Sequence, residues 1–201
     1  MLNLTKYAID WINGELLGDA SIELAGPAKA RFRYCSQYVE YINYVCDTLQ
    51  SFGIIQTGKI YERIQGAHHS YSYCSHSYTE LFACLHAWYP NGKKVVPRCI
   101  TLSPITCRQW YIGDGCLVTR QHVRRKAFIE LYTNAFPILD VDWLVEQLWE
   151  IGILATRKPT RNVIHISSVS VSDFLNYITG SPVECYRYKW DTKSTPKSLN
   201  H

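Results

Sequence analysis

The stretch "WINGELLGDASIEL", residues 11–24, decides how this chain folds. Its apolar spacing predicts an amphipathic helix that ends at Gly18-Asp19 and turns directly into a strand. Each glycine inside a helix costs about 1 kcal/mol relative to alanine. Because two helices approach closely only where small residues line their contact, Gly14 and Gly18 predict a tightly packed partner helix.

The chain contains a second copy of this pattern, "SPITCRQWYIGDGCLV", residues 103–118. Here too a predicted helix ends in Gly-Asp, at Gly113-Asp114, and runs into a strand. Ser103 and Pro104 are favoured at the N-cap and at the first position of a helix, and Thr5 is the predicted N-cap of the first copy. The duplication predicts two helices that pack against each other about a pseudo-twofold axis.

The flanks of the two copies match as well. Each copy is followed by a basic strand-like segment, a long helical pattern ending in Gly-Ile, further strand-like pieces and an apolar helical run. The glycines of the two Gly-Ile pairs, Gly53 and Gly152, stand where a helix C-cap is expected. A seam with two prolines and a glycine, near residues 90–103, divides the chain into predicted halves 1–96 and 97–201.

Composition excludes several classes of protein. Of the 201 residues, 47% are hydrophobic and 19% are charged, which is typical of a globular chain and not of a disordered one. Neither a signal-peptide pattern nor an apolar run of ~20 residues is present, so we expect a soluble intracellular protein without a membrane partner. The eight cysteines have no C-x2-C or C-x4-C spacing, which favours structural thiols over the alternative of zinc or disulfides.

The net charge of +4 is concentrated in strand-like segments such as "KARFR" and "TRKPTRN". Basic strands that also carry Gln, Asn and Tyr suit contacts with phosphates and base edges of a nucleic acid. The alternative is a solvated sheet face with ordinary surface charge.

Two carboxylates stand where the paired helices end. A helix C-terminus carries partial negative charge, so Asp19 and Asp114 are unfavourable there unless something positive compensates. The pseudo-twofold packing would bring the two side chains together. A divalent cation held by carboxylates, backbone carbonyls and water would then supply the positive charge, and Mg²⁺ prefers oxygen ligands.

The two duplicated stretches resemble motifs of a known family. Residues 12–20, "INGELLGDA", and 107–115, "CRQWYIGDG", resemble the two LAGLIDADG motifs of monomeric homing endonucleases. The centre, "YPNGKKVVP…LSPITCRQWYIGDGCL", and the closing "YRYKW" resemble one subgroup with a Lys-Lys pair and a terminal Tyr-Lys segment. Two positions depart from the pattern. Ala20 replaces a glycine, and Gln109 stands where the first copy has Gly14, so the helices should not pack symmetrically. Glu15 is expected to face solvent.

The resemblance implies an α+β fold of two pseudo-symmetric αββαββα halves, whose antiparallel sheets form a DNA-binding saddle around the central LAGLIDADG helices. It also implies a monomer that cuts both strands of a double-stranded DNA site with Mg²⁺ or Mn²⁺, leaves 3′ overhangs and serves intron- or intein-type mobility.

The resemblance further assigns roles within the predicted centre. Asp19 and Asp114 match the acidic metal ligands, with the carbonyls of Gly18 and Gly113. Lys94 and Lys189 match lysines that orient water or stabilise charge. The alternative is that both lysines contact phosphates or are solvated.

Specificity should come from alternate strand positions that share the DNA-facing side of a sheet. Arg and Gln are suited to bidentate contacts with G and A, although simple exposure is an alternative for each residue. For Gln37 and Asn134, which precede the long helices, the alternative is helix capping. The predicted DNA contacts are Lys29, Arg31, Arg33, Gln37, Tyr61, Arg63, Gln65, Tyr71 and Tyr73 in the first half, and Arg124, Lys126, Asn134, Arg157, Lys158, Arg161 and His165 in the second.

Two other functions stay open. The first is an RNA maturase that assists splicing of its host intron through a basic surface apart from the saddle. The second is a non-catalytic DNA-binding regulator on the same fold, a class that tends to lose the two acidic residues. An organelle and a prokaryotic cytoplasm are both compatible locations.

Overall fold

The computed structural model describes residues 2, 4–66, 68–119 and 126–192, and its elements fall into two series of the same order. The first series is α1 (Lys6–Leu17), β1 (Ser21–Leu24), β2 (Ala30–Ser36), α2 (Val39–Ser51), β3 (Tyr61–Gln65), β4 (His68–Cys74) and α3 (Thr79–Trp88). The second is α4 (Pro104–Asp114), β5 (Gly115–Val118), β6 (Phe128–Tyr132), α5 (Ile138–Glu150), β7 (Ala155–Lys158), β8 (Val163–Ile166) and α6 (Val171–Tyr177), followed by a 3₁₀ helix, Glu184–Trp190. The predicted α+β class with two αββαββα halves is confirmed.

Each half contains one four-stranded antiparallel sheet. The strand orders are β1-β2-β4-β3 and β5-β6-β8-β7, so the second sheet repeats the topology of the first. Apolar side chains of β2, β6 and β8 alternate towards the helices, where Phe32, Ile129 and Ile164 are fully buried. The other face of each sheet carries polar and charged side chains.

The helices begin and end where local chemistry predicts. Thr5 Oγ1 accepts a hydrogen bond from the N–H of Ala8, and Ser103 Oγ accepts one from the N–H of Thr106, which confirms both predicted N-caps. Beyond the C-termini of α2 and α5, Gly53 and Gly152 have φ of 83° and 82°, a left-handed conformation that favours glycine.

The centre of the molecule is the contact between α1 and α4. A Cβ added to Gly14 would lie 2.5 Å from the carbonyl oxygen of Thr106 and 2.8 Å from Cβ of Gln109, so only glycine fits there. Trp11 and Trp110 are fully buried on either side of this contact. The close helix pair inferred from the glycine spacing is therefore present, and its asymmetry at Gln109 is as expected.

All eight cysteines lie in the described part of the chain and are free thiols, as the sequence indicated. Cys107 is buried, Cys35 and Cys99 are exposed, and the others are half-buried. None of the helices in the described ranges is long and apolar enough to cross a membrane.

Candidate active site

The C-terminal ends of α1 and α4 meet at two glycines. A Cβ added to Gly18 would lie 3.3 Å from Cα of Gly113, and one added to Gly113 would lie 3.1 Å from Cα of Gly18 and from the amide of Asp19. Asp19 Oδ2 would be 3.6 Å from that same added atom. The absence of side chains at both positions therefore lets Asp19 and Asp114 sit beside each other at the helix ends.

Burial raises the pKa of both carboxyl groups, and Asp19 adds to the shift of Asp114. Burial, followed by repulsion from Asp19, raises the pKa of Asp114 to about 7. Desolvation also raises the pKa of Asp19, although its side chain reaches solvent, while Lys189 and Lys94 act in the opposite direction. Both carboxylates would ionise more readily next to an additional cation.

Lys94 caps the C-terminus of α1. Its Nζ donates to the carbonyl oxygens of Gly18 at 3.2 Å and Ala20 at 3.0 Å, and it lies 5.6 Å from the ring centre of Phe136. Burial lowers its pKa to about 8, against the opposing effect of Asp114 and Asp19. The positive charge of Lys94 thus offsets the partial negative charge that the helix dipole places at the C-terminus of α1.

Lys189 caps α4 in the same way but more completely. Its Nζ donates to four carbonyl oxygens, those of Tyr111 (3.3 Å), Ile112 (2.5 Å), Gly113 (3.5 Å) and Gly115 (2.8 Å). The residue is buried, and desolvation lowers its pKa to about 8. The two lysines occupy equivalent places, each on the residues flanking one Gly-Asp pair.

The oxygen atoms gathered here fit a hard divalent cation. Within the described ranges, no cluster of three or more His, Cys, Asp or Glu side chains is arranged to hold a metal ion. Two carboxylates with neighbouring backbone carbonyls nevertheless suit Mg²⁺, which typically takes one or two carboxylates and completes its shell with water and substrate phosphate. Each glycine carbonyl keeps a second lone pair beside its lysine contact.

Glu15 contradicts the expectation that it faces solvent. It is fully buried between the two central helices, where its Oε1 accepts from Tyr41 Oη at 2.7 Å and from Gln109 Nε2 at 2.6 Å. Its Oε2 has no hydrogen-bond partner in the described part of the protein. Burial raises the pKa of Glu15 to about 8, so the side chain is largely protonated at neutral pH.

The sheet of the first half gathers most of its predicted contact residues on one face. Arg31 and Arg33 project there, and both pair with Glu23, at 3.2 Å and 2.9 Å. The register places Arg33 opposite Cys74 and Arg63 opposite Ser70, so β2, β4 and β3 present these side chains together. The exposed predicted residues of this half are Lys29, Arg33, Gln37, Tyr61, Arg63 and Gln65.

Two tyrosines do not belong to that surface, and their prediction is corrected. Because Tyr61 pairs with Ser72, the even-numbered residues of β4 share the face of Arg63, and Tyr71 and Tyr73 point to the other side. Tyr73 is fully buried, with its hydroxyl directed at the carbonyl of Ile54. Sequence reasoning missed Ser70 and Ser72, which only the strand register identifies.

In the second half, four predicted residues line one open groove of about 570 Å³. They are Lys126, Lys158, Arg161 and His165. Glu130, which the sequence reasoning missed, lies among them and holds Arg161 Nη2 at 2.5 Å. The structure therefore places a cationic groove on the sheet face away from the helices.

Arg157 is a further correction, because it lies on the opposite face, in register with Ile164, and its Nε contacts Asp142 Oδ1 of α5 at 2.6 Å. Asn134 is exposed and donates to the carbonyl of Arg161, so it does not cap α5, whose N-cap is Pro137. Gln37 does not cap α2 either, since the N-cap residue is Tyr38 and no side chain there accepts a hydrogen bond from the first amides of the helix. Arg124 lies outside the described residues.

Charge differs between the two sides of the molecule. Helices α2, α3, α5 and α6, all fully described, contain no Lys or Arg. Their charged side chains other than His86 are acidic: Glu40, Asp47, Glu80, Asp140, Asp142, Glu146, Glu150 and Asp173. A polyanion is therefore attracted to the sheet side and repelled from the helical side.

Comparison with known proteins gives a consistent result. Residues 9–174 match the sequence profile of the LAGLIDADG DNA endonuclease family. An uncharacterised protein of Methanocaldococcus jannaschii is 28% identical over 150 residues, covering 73% of this chain and 57% of that protein. The cytochrome b mRNA maturase bI2 of Debaryomyces hansenii is 27% identical over 155 residues, covering 72% and 56%. The chain thus spans a little more than half the length of these relatives.

Solved structures share the fold. The homing endonuclease I-WcaI bound to its DNA recognition sequence superposes with a TM-score of 0.80 at 17% identity, over 95% of this chain and 88% of that one. I-DmoI in complex with DNA and Mn gives a TM-score of 0.53 at 16% identity, over 87% of this chain and 99% of that one. Both matches include the two halves together.

Proposed function

Because this chain belongs to the LAGLIDADG DNA endonuclease family, we propose that it is a site-specific endonuclease that hydrolyses one phosphodiester bond in each strand of a double-stranded DNA target. The observation that carries the proposal is the meeting of Asp19 and Asp114 at the ends of two touching helices, each end capped by a lysine. We further propose, from the family resemblance, that cleavage leaves 3′ overhangs and serves intron- or intein-type mobility.

The proposed cofactor is Mg²⁺ or Mn²⁺. Asp19 and Asp114 would hold it together with the carbonyl oxygens of Gly18 and Gly113. The cation would supply an activated water and would stabilise the charge that develops on the scissile phosphate. The raised pKa of both carboxyl groups supports this assignment, since a bound cation would offset the cost of burying their charges and the repulsion of Asp114 by Asp19.

The lysines have a defined part in this proposal. Their ammonium groups lie within electrostatic range of Asp19 and Asp114, and a pKa of about 8 leaves part of each population neutral under mildly alkaline conditions. When neutral, each Nζ would accept a proton from an attacking water that the cation has acidified, and when protonated it would return one to the departing oxygen. In the protonated form it would stabilise negative charge on the phosphate.

The basic sheet faces supply the DNA contacts in this proposal. Arg33 and Arg63 in the first half and the groove around Lys158 and Arg161 in the second lie on the sheet side, opposite the acidic helices. Since both carboxylates come from one chain, we propose a monomer that binds double-stranded DNA. An intracellular location in an organelle or a prokaryotic cytoplasm stays a proposal of the same kind.

An RNA maturase is the second candidate, and the related maturase bI2 favours it. Among the described residues, helices α2, α3, α5 and α6 contain no Lys or Arg, so these four helices do not themselves offer a basic surface for RNA. Host intron RNA would have to use the sheet side or the ends of the helices. A non-catalytic regulator is less favoured, since both carboxylates are retained side by side.

The test is cleavage of a plasmid that carries the intron-less host locus, with Mg²⁺ and then with Ca²⁺. We expect the wild type to linearise the plasmid with Mg²⁺, and Asp19→Asn to bind in Ca²⁺ without cutting in Mg²⁺. Glu146→Gln, an exposed acidic site on α5, is the matched control and should cut normally. Tight binding by the wild type without any cut would overturn the nuclease and favour a regulator or a maturase.

A further inference from the structure

Lys94 caps a helix of the first half, and both halves hold the backbone that follows it. The amide of Val95 donates to the carbonyl of Trp88 in α3 at 2.8 Å. Two residues after Lys94, the amide of Val96 donates to Asp140 Oδ2 at 2.9 Å. Asp140 lies in the first turn of α5 and is buried, and its other oxygen accepts from Arg98 Nη2 at 2.9 Å. The segment that carries Lys94 is therefore tied to α5 by a charge-assisted hydrogen bond.

Lys189 shows the reciprocal arrangement. It caps α4 of the second half, while the start of its 3₁₀ helix is held by the first half. The amides of Glu184 and Cys185 donate to the two carboxylate oxygens of Glu40, at 2.7 Å and 3.1 Å. Glu40 lies in the first turn of α2. The Tyr186 ring also packs against Tyr38, the N-cap of this helix, and against Tyr41 within it, with ring centres 5.1 Å apart in both pairs.

The two anchors are not copies of one motif. The amide held by Asp140 follows its lysine in the chain, whereas the amides held by Glu40 precede theirs. What the halves share is the position of the carboxylate, in the first turn of the long helix, and its target, the backbone of the other half's lysine segment.

We propose that Asp140 and Glu40 are positioning residues for Lys94 and Lys189, so that the half opposite each capped helix end helps to set the lysine in place. They act alongside contacts within the same half, such as that of Tyr111 Oη with the carbonyl of Lys189. Each cleavage centre is then complete only when both halves are docked. The effect on cleavage rests on the proposed nuclease function, whereas the effect on lysine placement does not.

Lysine placement is measured on the metal-free protein by the rate of acetylation with an N-acetoxysuccinimide reagent, read at each lysine by mass spectrometry. In Asp140→Ala we expect several-fold faster acetylation of Lys94 with Lys189 unchanged, and in Glu40→Ala the converse. Glu146→Ala and Asp47→Ala, exposed positions on the same helices, are the controls. Neither Asp140 nor Glu40 is among the charges that shift the pKa of the two lysines. A change in acetylation rate therefore reports a change in the position of the lysine.

Unchanged labelling in both variants, or an equal rise at all lysines, would overturn the proposal. We expect the larger change for Asp140, which is buried, whereas Glu40 is exposed. If Asp140→Ala does not fold, Asp140→Asn keeps an acceptor for Val96 but loses the ion pair with Arg98, and it should give a smaller rise at Lys94 alone.

Strand-specific nicking of end-labelled target DNA tests the consequence. Asp140→Ala should slow the strand that Lys94→Met slows, and Glu40→Ala the strand that Lys189→Met slows, with unchanged binding in Ca²⁺. A purely structural role would slow both strands equally. If the wild type does not cut, the nuclease proposal fails while the labelling result still stands. If labelling shifts but nicking does not, the positioning role in cleavage is wrong.

Discussion

In the first half, all five residues of β3 are exposed on a hairpin that extends past the core. In the second half the corresponding strand, β7, has four residues, of which only Thr156 is exposed. The C-terminal ends of α1 and α4, by contrast, are built alike in the two halves, because a lysine caps the Gly-Asp turn in each. At the contact between α1 and α4 the two backbones approach each other closely, so few side chains fit there. The sheet faces are free to differ, and we expect a target site with unequal half-sites.

The same contrast appears on a smaller scale at the centre. Gly14 of α1 packs directly on Gln109, its equivalent in α4. Lys94 is half-buried and contacts two carbonyl oxygens, whereas Lys189 is buried and contacts four. Near-symmetry of the backbone therefore coexists with unequal side-chain environments, and the following substitutions test how far the inequality extends.

The largest loss of stability is expected from Gly14→Ala, which gives α1 a Cβ at the position where α4 has Gln109. The added Cβ would meet the backbone of Thr106 at 2.5 Å, and backbone cannot move away cheaply. We expect a loss of about 2–4 kcal/mol in the free energy of unfolding, measured in urea. Gly180→Ala is the control, since nothing lies within 4 Å of its added Cβ. Equal midpoints for the two variants would show that the helix contact is looser than described.

Replacing the lysines separates the two caps. Lys189→Met removes a donor that contacts four carbonyl oxygens, of which that of Tyr111 keeps the N–H of Gly115, and Lys94→Met removes a donor that contacts two. We expect Lys189→Met to lower stability by about 1–3 kcal/mol and Lys94→Met by roughly half as much. The loss should grow between pH 6 and pH 8, because Asp114, whose pKa burial raises to about 7, ionises there without a compensating charge. Thermal melts at both pH values test this, and a larger loss for Lys94→Met would reverse the comparison.

Glu15→Gln tests a feature of the first helix alone, since the equivalent position in α4 is Trp110. The folded protein holds the proton of Glu15 up to a pKa of about 8, whereas the unfolded chain releases it near 4.5. Stability of the metal-free wild type should therefore fall as pH rises through this window, by up to about 1.4 kcal/mol per unit. The Gln variant lacks this contribution, so melts should converge near pH 4.5 and diverge by pH 8. Parallel curves would show that Glu15 is ionised.

The smallest effect distinguishes two arginines that the sequence grouped together. Arg33 lies on the polar sheet face, and Arg157 faces α5. In Ca²⁺, Arg33→Ala should weaken DNA binding and reduce the slope of log affinity against log salt by about 1. Arg157→Ala should leave the slope unchanged. Equal slopes in both variants would mean that Arg33 does not contact phosphate.

Local signals made the helix pair predictable. Glycine spacing, a Ser-Pro helix start and a carboxylate at each helix end act over a few residues, so the α1–α4 contact and the pairing of Asp19 with Asp114 followed from two short stretches. The two-half fold followed from the order in which the same elements recur.

Long-range partners were not predictable in the same way. Tyr73 and Arg157 were assigned to the wrong face because a shift of one residue in strand pairing exchanges the two faces. Glu15 was placed in solvent because its partners, Tyr41 and Gln109, are 26 and 94 residues away. No pattern within a helix reveals such a neighbour.

The anchoring of each lysine segment on the opposite half has a consequence for building hybrid proteins from two parents. A chimera joined after residue 96 would take Lys94 and Val96 from one parent and Asp140 from the other. It would likewise combine Glu40 of one parent with Glu184 and Cys185 of the other. Halves from different parents should therefore recombine productively only if both contacts are transplanted with them, so the exchangeable module is not a continuous stretch of sequence.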